Sequence, residues 1–374
     1  MTHSTHADRR RVALDAGRGR VALAAAAALL MLVTGCAALT SPGSAGSPGA
    51  TATPGATLGN SLPAEAPAVG RKSATSGGAL FGGNNALALQ QQMLGRRLAI
   101  IRVYYQIGEP FPAPQDQQAM AGGSTLLISL ATGGASYASV ASGFLDARIL
   151  AFLRSVNRAA VQYHLGAIYV SFEHEPDGPQ HRWLGPAAQF VRAWDHVHML
   201  ARSAGLDWGQ GGRLHWVWIL IHSSFGNGMA SQYWPGAGQT DIVGADGYNS
   251  YACKVARHGG IPGQAASNAV TPASIFDPAI RFADVHGGLP VFISEWGSDL
   301  APAGGQSTFI RQMEAYVASN REIGAVMYWD SGHRCNYSVN RSPMAIAALS
   351  NMGHSAALQG RVTAPAGQGG PPAP

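Results

Sequence analysis

Lysine is nearly missing from this 374-residue chain, with Lys72 and Lys254 the only two. Charged residues of every kind make up 12% of it, and past the first twenty positions no run of Lys or Arg occurs. Arg9, Arg10, Arg11, Arg18 and Arg20, set against Asp8 and Asp15, place +3 of the formal +5 charge at the very start and leave +2 for the rest. The basic footprint that a nucleic-acid binder needs is therefore missing, and no nucleic-acid partner is expected. Cysteine is scarce as well: three residues are too few for a structural zinc cluster. There is no G-x-S-x-G elbow for a serine hydrolase. No glycine-rich phosphate loop follows an early strand, since Gly209-Gln210-Gly211-Gly212 precedes one and Gly17-Arg18-Gly19 lies near the start. His196 and His198, with Asp195 nearby, fall in a helical stretch where positions two apart point to different faces. Asp246, Asp299 and Asp330 match no calcium loop. No metal and no cofactor are expected.

What the two ends contain narrows the reading. The uncharged apolar run from Val21 to Val33 is too short to span a bilayer comfortably and follows an arginine-rich segment, the pattern of a signal peptide. It ends at Val33-Thr34-Gly35-Cys36, which resembles a bacterial lipobox. That resemblance implies a leader over residues 1–36, lipidation of Cys36 and a lipoprotein anchored outside the cell membrane; secretion by an ordinary signal peptide is the alternative. Residues 37–77 are Ser, Thr, Pro, Gly and Ala with almost no large apolar side chain, so they are expected to be a disordered linker. A flexible tether of roughly forty residues reaches about 35 Å. Residues 357–374 read as a similar disordered tail. In an oxidising compartment Cys253 and Cys335 are expected to pair as a disulfide; two separate buried thiols are the alternative.

Between the ends, over residues 78–356, short apolar and β-branched runs alternate with segments of helical period. The strand candidates are Ala79–Phe81, Ala99–Tyr104, Thr125–Leu130, Ala167–Phe172, Leu214–Ile221, Ile242–Gly244, Pro290–Ser294 and Gly324–Trp329, and one of the intervening helices is expected over Pro278–His286. Eight such units over roughly 280 residues predict an α/β fold of the (β/α)8 TIM-barrel type. A doubly wound open sheet is the alternative.

Enzymes of this architecture place their chemistry at the C-terminal ends of the strands. Two candidate strands end in glutamate: the fourth runs into Glu173-His174-Glu175 and the seventh into Ser294-Glu295-Trp296. Strands 4 and 7 face one another across a barrel, so the two carboxyls would approach over a shared mouth. Glycoside cleavage requires such a pair, one to protonate the leaving oxygen and one to attack the anomeric carbon. Glu173 rivals Glu175 as the acid, because it lies two residues earlier and so on the same face of an extended strand.

Beyond the glutamates, several segments in order resemble family 26 of the glycoside hydrolases, whose best-known members are β-mannanases. They are Gly95-Arg96-Arg97-Leu98 before Val103-Tyr104-Tyr105; His174-Glu175; Tyr233-Trp234-Pro235-Gly236; Asp246-Gly247-Tyr248-Asn249; Ser294-Glu295-Trp296-Gly297; and Met327-Tyr328-Trp329-Asp330-Ser331. The resemblance implies a retaining hydrolase of β-linked polysaccharide, endo-β-1,4-mannanase-like, with Glu175 as acid/base and Glu295 as nucleophile. It also implies that His174 lies near the nucleophile or sugar, that Tyr248 donates to Glu295 and that Trp329 floors a subsite. Tyr104, Trp183, His222, Asp246 and Trp296 complete the candidate substrate contacts. The lead-in Ser171-Phe172-Glu173 and the absence of Pro-Asn after strand 5 depart from the family pattern. Another β-glycan (xylan, glucan, a wall or capsule polymer) and a non-catalytic glycan-binding lipoprotein are the alternatives. A monomer is expected.

Overall fold

The computed structural model describes residues 75–84, 87–250, 253, 270–299, 305–332 and 335–362. The expected leader, Cys36 and most of the linker lie outside the described residues.

Eight parallel strands pair in chain order: β2 (Leu80–Asn84), β3 (Ile100–Gln106), β4 (Thr125–Ala131), β5 (Ile168–Phe172), β6 (Leu214–Ile221), β7 (Ile242–Asn249), β8 (Val291–Ser298) and β9 (Ile323–Trp329). β9 pairs back onto β2, from Leu80↔Ala325 to Asn84↔Trp329, so the sheet closes into a (β/α)8 barrel and the open-sheet alternative is excluded. The strands are near-continuous apolar runs because both of their faces are covered. Leu80, Ile100, Leu127, Val217, Phe292 and Met327 fill the barrel interior. Residues of opposite parity, such as Val170, Trp218, Ile293 and Val326, pack outward against the helices.

The helices follow the same logic. Asp146–Gln162 buries Ile149, Phe152, Leu153, Val156, Ala159 and Ala160, one face at helical spacing. Pro272–Val285 begins six residues before the expected start at Pro278. Proline suggested a first turn there, yet the true start is a capping box in which Thr271 and Ser274 satisfy each other's backbone N–H groups. Pro278 sits inside the helix, tolerated while Ile275, Phe276 and Ala279 around it are buried.

Two strands lie in segments that composition assigned to linker and tail. β1 (Thr75–Gly78) and β10 (Leu358–Val362) pair antiparallel, with Thr75 opposite Val362, and β10 joins the barrel through Gln359 opposite Leu80. Their pairing is made between chain segments nearly three hundred residues apart, which no local pattern reports. β1 and β10 thus lie at the N-terminal end of the barrel, opposite the strand ends where the glutamates lie.

Candidate active site

A fault in β8 aims the first glutamate. Along β7 and β8, Ala245 lies opposite Ile293 but Asp246 lies opposite Glu295, so one residue on β8 is unmatched. The pairing with β9 slips over the same stretch, from Ile293↔Val326 to Trp296↔Tyr328. Ile293 and Trp296 both pack outward against the helices, which strict alternation forbids for positions three apart. This β-bulge turns Glu295 into the barrel and Trp296 out of it. Trp296 is fully buried, edge-on to Tyr328 at 4.8 Å, so its expected contact with substrate is corrected: it belongs to the barrel–helix core.

Donors surround the Glu295 carboxylate. Tyr104 donates to Oε1 at 2.5 Å and Tyr248 donates to Oε2. The Tyr104 oxygen itself accepts from Asn84 Nδ2 at 3.2 Å, which directs the phenol proton toward Glu295. Arg102 Nη1 lies 3.1 Å from Oε1 and 2.9 Å from Asp246 Oδ1. Burial works against the charge on Arg102, but Asp246, Tyr104 and Glu295 outweigh it and hold the guanidinium protonated. Burial, followed by the charge of Glu295, pushes Tyr248 well above the ordinary phenol range; burial does the same to Tyr104, with Arg102 opposing. Both phenols therefore remain donors. Asp246 is also corrected as a substrate contact: at 1% exposure it lies beneath the mouth as the partner of Arg102.

Glu175 is placed differently. β5 ends at Phe172, and Glu173 and Glu175 both take left-handed φ values, 46° and 51°. Such a conformation costs a non-glycine residue about 1–2 kcal/mol, and strain of this kind gathers at functional sites. The chain turns at each glutamate, so the two are not neighbours on one face of an extended strand as expected. Glu173 turns toward β4, where it accepts from Thr132 N at 2.6 Å, and burial lifts its carboxyl to about 7. Glu175 accepts a single side-chain bond, from Gln180 Nε2 at 3.2 Å, and its backbone oxygen accepts from His181 Nδ1 at 2.8 Å. Burial first and the charge of Glu295 second raise Glu175 to about 8, with Arg102 opposing. Of the two, Glu175 is the one that feels Glu295 across the mouth.

The remaining candidates fall into two groups. His174 meets Tyr104 edge-on at 5.3 Å, and Trp329 meets the same ring at 6.1 Å, so both line the mouth with it. Trp183 is 67% exposed on the turn Pro179–Leu184, its indole N–H fixed on Gln180 O. His222 starts a short helix after β6, with its Cβ beside Gly247 of β7. Cys253 and Cys335 are joined by a disulfide between the loops after β7 and β9. Sequence reasoning missed Arg102, Asn84 and Gln180. For Arg102 a signal existed: a lone charge inside the apolar run Ile100-Ile101-Arg102-Val103 needs a buried partner. Among the described residues no cluster of His, Cys, Asp and Glu is suited to a metal.

No protein-family model matches this sequence, and no curated protein matches it. Solved structures do. A family 26 β-mannanase from Bacteroides ovatus superposes with a TM-score of 0.55 at 13% identity, over 75% of this chain and 90% of that one. The catalytic domain of a family 26 endo-β-1,4-mannanase from Bacillus sp. JAMB-750 gives 0.52 at 15% identity, over 75% and 86%. A modular endo-β-1,4-mannanase from Cellulomonas fimi gives 0.52 at 15% identity, over 77% and 75%. The chain therefore has the (β/α)8 fold of the family 26 glycoside hydrolases.

Proposed function

We propose that this protein is a glycoside hydrolase that cleaves a β-linked polysaccharide, with Glu175 as general acid/base and Glu295 as nucleophile. The observation that carries the reading is the contrast in environment between the two carboxyls. Glu175 is held near pH 8 by burial and by the field of Glu295, so it keeps a proton for the leaving oxygen. Glu295 accepts from two phenols and lies beside a guanidinium, an arrangement that stabilises the charged attacking group. In the double displacement, a Glu295 oxygen bonds to the anomeric carbon as the glycosidic bond breaks and Glu175 passes its proton to the departing oxygen. Glu175 then takes a proton from water, whose oxygen displaces Glu295 with net retention. The half-buried Tyr104 and the exposed Trp183 supply faces on which pyranose rings can stack, with Trp329 packed edge-on behind Tyr104.

The fold shared with three mannanases makes β-1,4-mannan the first substrate to test, with endo action. Display outside the cell through a lipidated Cys36 completes the proposal. The decisive experiment incubates the purified protein with mannan, glucomannan, xylan and β-glucan and follows reducing ends and, by proton NMR, the first anomer formed. Mannan cleavage with the β-anomer appearing first is expected. Early α-anomer would reject the double displacement, and activity confined to another glycan would move the substrate assignment. If no glycan or activated aryl glycoside is cleaved, a glycan-binding role replaces the hydrolase.

A further inference from the structure

Tyr248 reaches Glu295 from the far end of β7, and its own ring needs support. That support comes from Tyr337, a residue in the loop after β9. The two rings stack at 4.9 Å with 17° between their planes. The base of the Tyr337 side chain lies on Gly297, two residues beyond Glu295 and directly opposite Tyr248 in the sheet: a methyl group there would stand 3.1 Å from Tyr337 Cγ. Gly297 therefore lets Tyr337 approach the β8 backbone, and Tyr337 packs both on the strand that carries Glu295 and on the phenol that donates to it.

The loop is pinned on several sides. Tyr337 N–H donates to Ser331 O at 2.8 Å, and its carbonyl accepts from Tyr328 Oη at 2.6 Å and from Gln306 Nε2 at 3.1 Å. Gln306 donates also to Ser298 O at 3.0 Å, which ties the loop to the end of β8. Two residues before Tyr337, Cys335 is bonded to Cys253, on the segment that follows Tyr248 out of the barrel. Cys335, Tyr337 and Trp329 form a small apolar cluster of their own, with Tyr104, Tyr248 and Cys253 packed against it. The rings and the bridge thus sit apart from the main core and directly beside the nucleophile.

We infer that Tyr337 is a positioning residue for Glu295: packed on Gly297 and braced by the Cys253–Cys335 bridge, its ring holds the Tyr248 hydroxyl on the carboxylate. The inference rests on the hydrolase reading for its effect on rate, but the placement of Tyr248 can be read without turnover. Losing a donor aimed at a reacting group costs about 10²–10³-fold in kcat, and a displacement of about 1 Å can cost about 10²-fold. Tyr337→Leu is accordingly expected to lower kcat by about 10–100-fold with KM within about twofold, while Tyr337→Phe, which keeps the stacking face, stays near wild type. The discriminating measurement is the cycle with Tyr248→Phe. Once Tyr248 no longer donates, adding Tyr337→Leu should cost little more, because the two act through one contact. Cys253→Ser/Cys335→Ser is expected to show a smaller loss of the same kind.

Independent, multiplying losses from Tyr248→Phe and Tyr337→Leu would overturn the inference and leave Tyr337 a packing residue. Crystal structures of wild type and Tyr337→Leu give the second arm: the Tyr248 hydroxyl should leave hydrogen-bond distance of Glu295 in the variant, and an unmoved Tyr248 overturns the inference. If wild type cleaves no glycoside, the hydrolase reading fails while this arm still decides the role of Tyr337.

Discussion

Near the end of β8, Glu295 accepts hydrogen bonds from Tyr104 and Tyr248 and lies 3.1 Å from a guanidinium. Just past the end of β5, half-buried Glu175 has one amide donor at 3.2 Å, and desolvation and the negative field of Glu295 act against its charge. The side chains are identical and the backbones that present them are not. β8 delivers its glutamate by an inserted residue, whereas β5 stops and delivers its own by a left-handed turn. The comparison teaches that a strand-end carboxyl acquires its chemical task from the donors that neighbouring strands extend over it. Arg102 and Tyr104 come from β3, Asn84 from β2 and Tyr248 from β7.

The largest effect should come from exchanging the two environments' roles. Glu295→Gln is expected to lower kcat by about 10⁴-fold or more on any substrate. Glu175→Gln should cost about 10²–10⁴-fold on polysaccharide and far less in the first step on a dinitrophenyl glycoside, whose leaving group needs no proton. Stopped-flow kinetics on both substrates read the ranking, and the opposite ranking would reverse the assignment.

Stability separates the two sides next. Arg102→Met removes the buried positive charge between Asp246 and Glu295 and should destabilise the fold by about 3–5 kcal/mol in urea denaturation. Asp246→Leu added to it should restore part of that loss. A change below about 1 kcal/mol would mean that the pair contributes no more than an exposed one.

A pH titration sharpens the contrast further. With side-chain carbon-13 NMR, Glu175 should titrate near pH 8 in the wild type and at lower pH in Glu295→Gln, because the like charge that raises it has gone. An unchanged midpoint would uncouple the two sites. The linkage has a definite sign: since Glu175 holds its proton more tightly folded than unfolded, its contribution to stability is full below about 4.5 and is lost as pH rises through about 8.

The smallest effect on activity is expected at Trp296. Trp296→Phe should leave kcat and KM within about twofold while lowering stability by about 1–3 kcal/mol, as for a core truncation. A large rise in KM would put the indole back in the mouth.

Much of this was legible beforehand. Six barrel strands stand out as apolar runs, because parallel strands covered on both sides have no polar face to interrupt them, while β2 and β7 show only at their apolar starts. The two glutamates were visible as charges at the ends of such runs. What stayed hidden has a common cause. A period of two, read through Ser294-Glu295-Trp296, puts the tryptophan inside and the glutamate outside, and only the paired strands reveal the inserted residue. The packing of Tyr337 on Gly297, the Asn84–Tyr104 contact and the pairing of Thr75 with Val362 are likewise made between distant segments, so no local window contains them.

The pairing of β1 with β10 has a practical corollary. First and last described residues are neighbours on the underside of the barrel, at the opposite end from Glu175 and Glu295. The same adjacency makes the molecule a candidate for circular permutation. In a variant trimmed to residues 75–362 a short peptide could join the two ends, and new ones could be opened in an underside loop such as Gly122–Gly123.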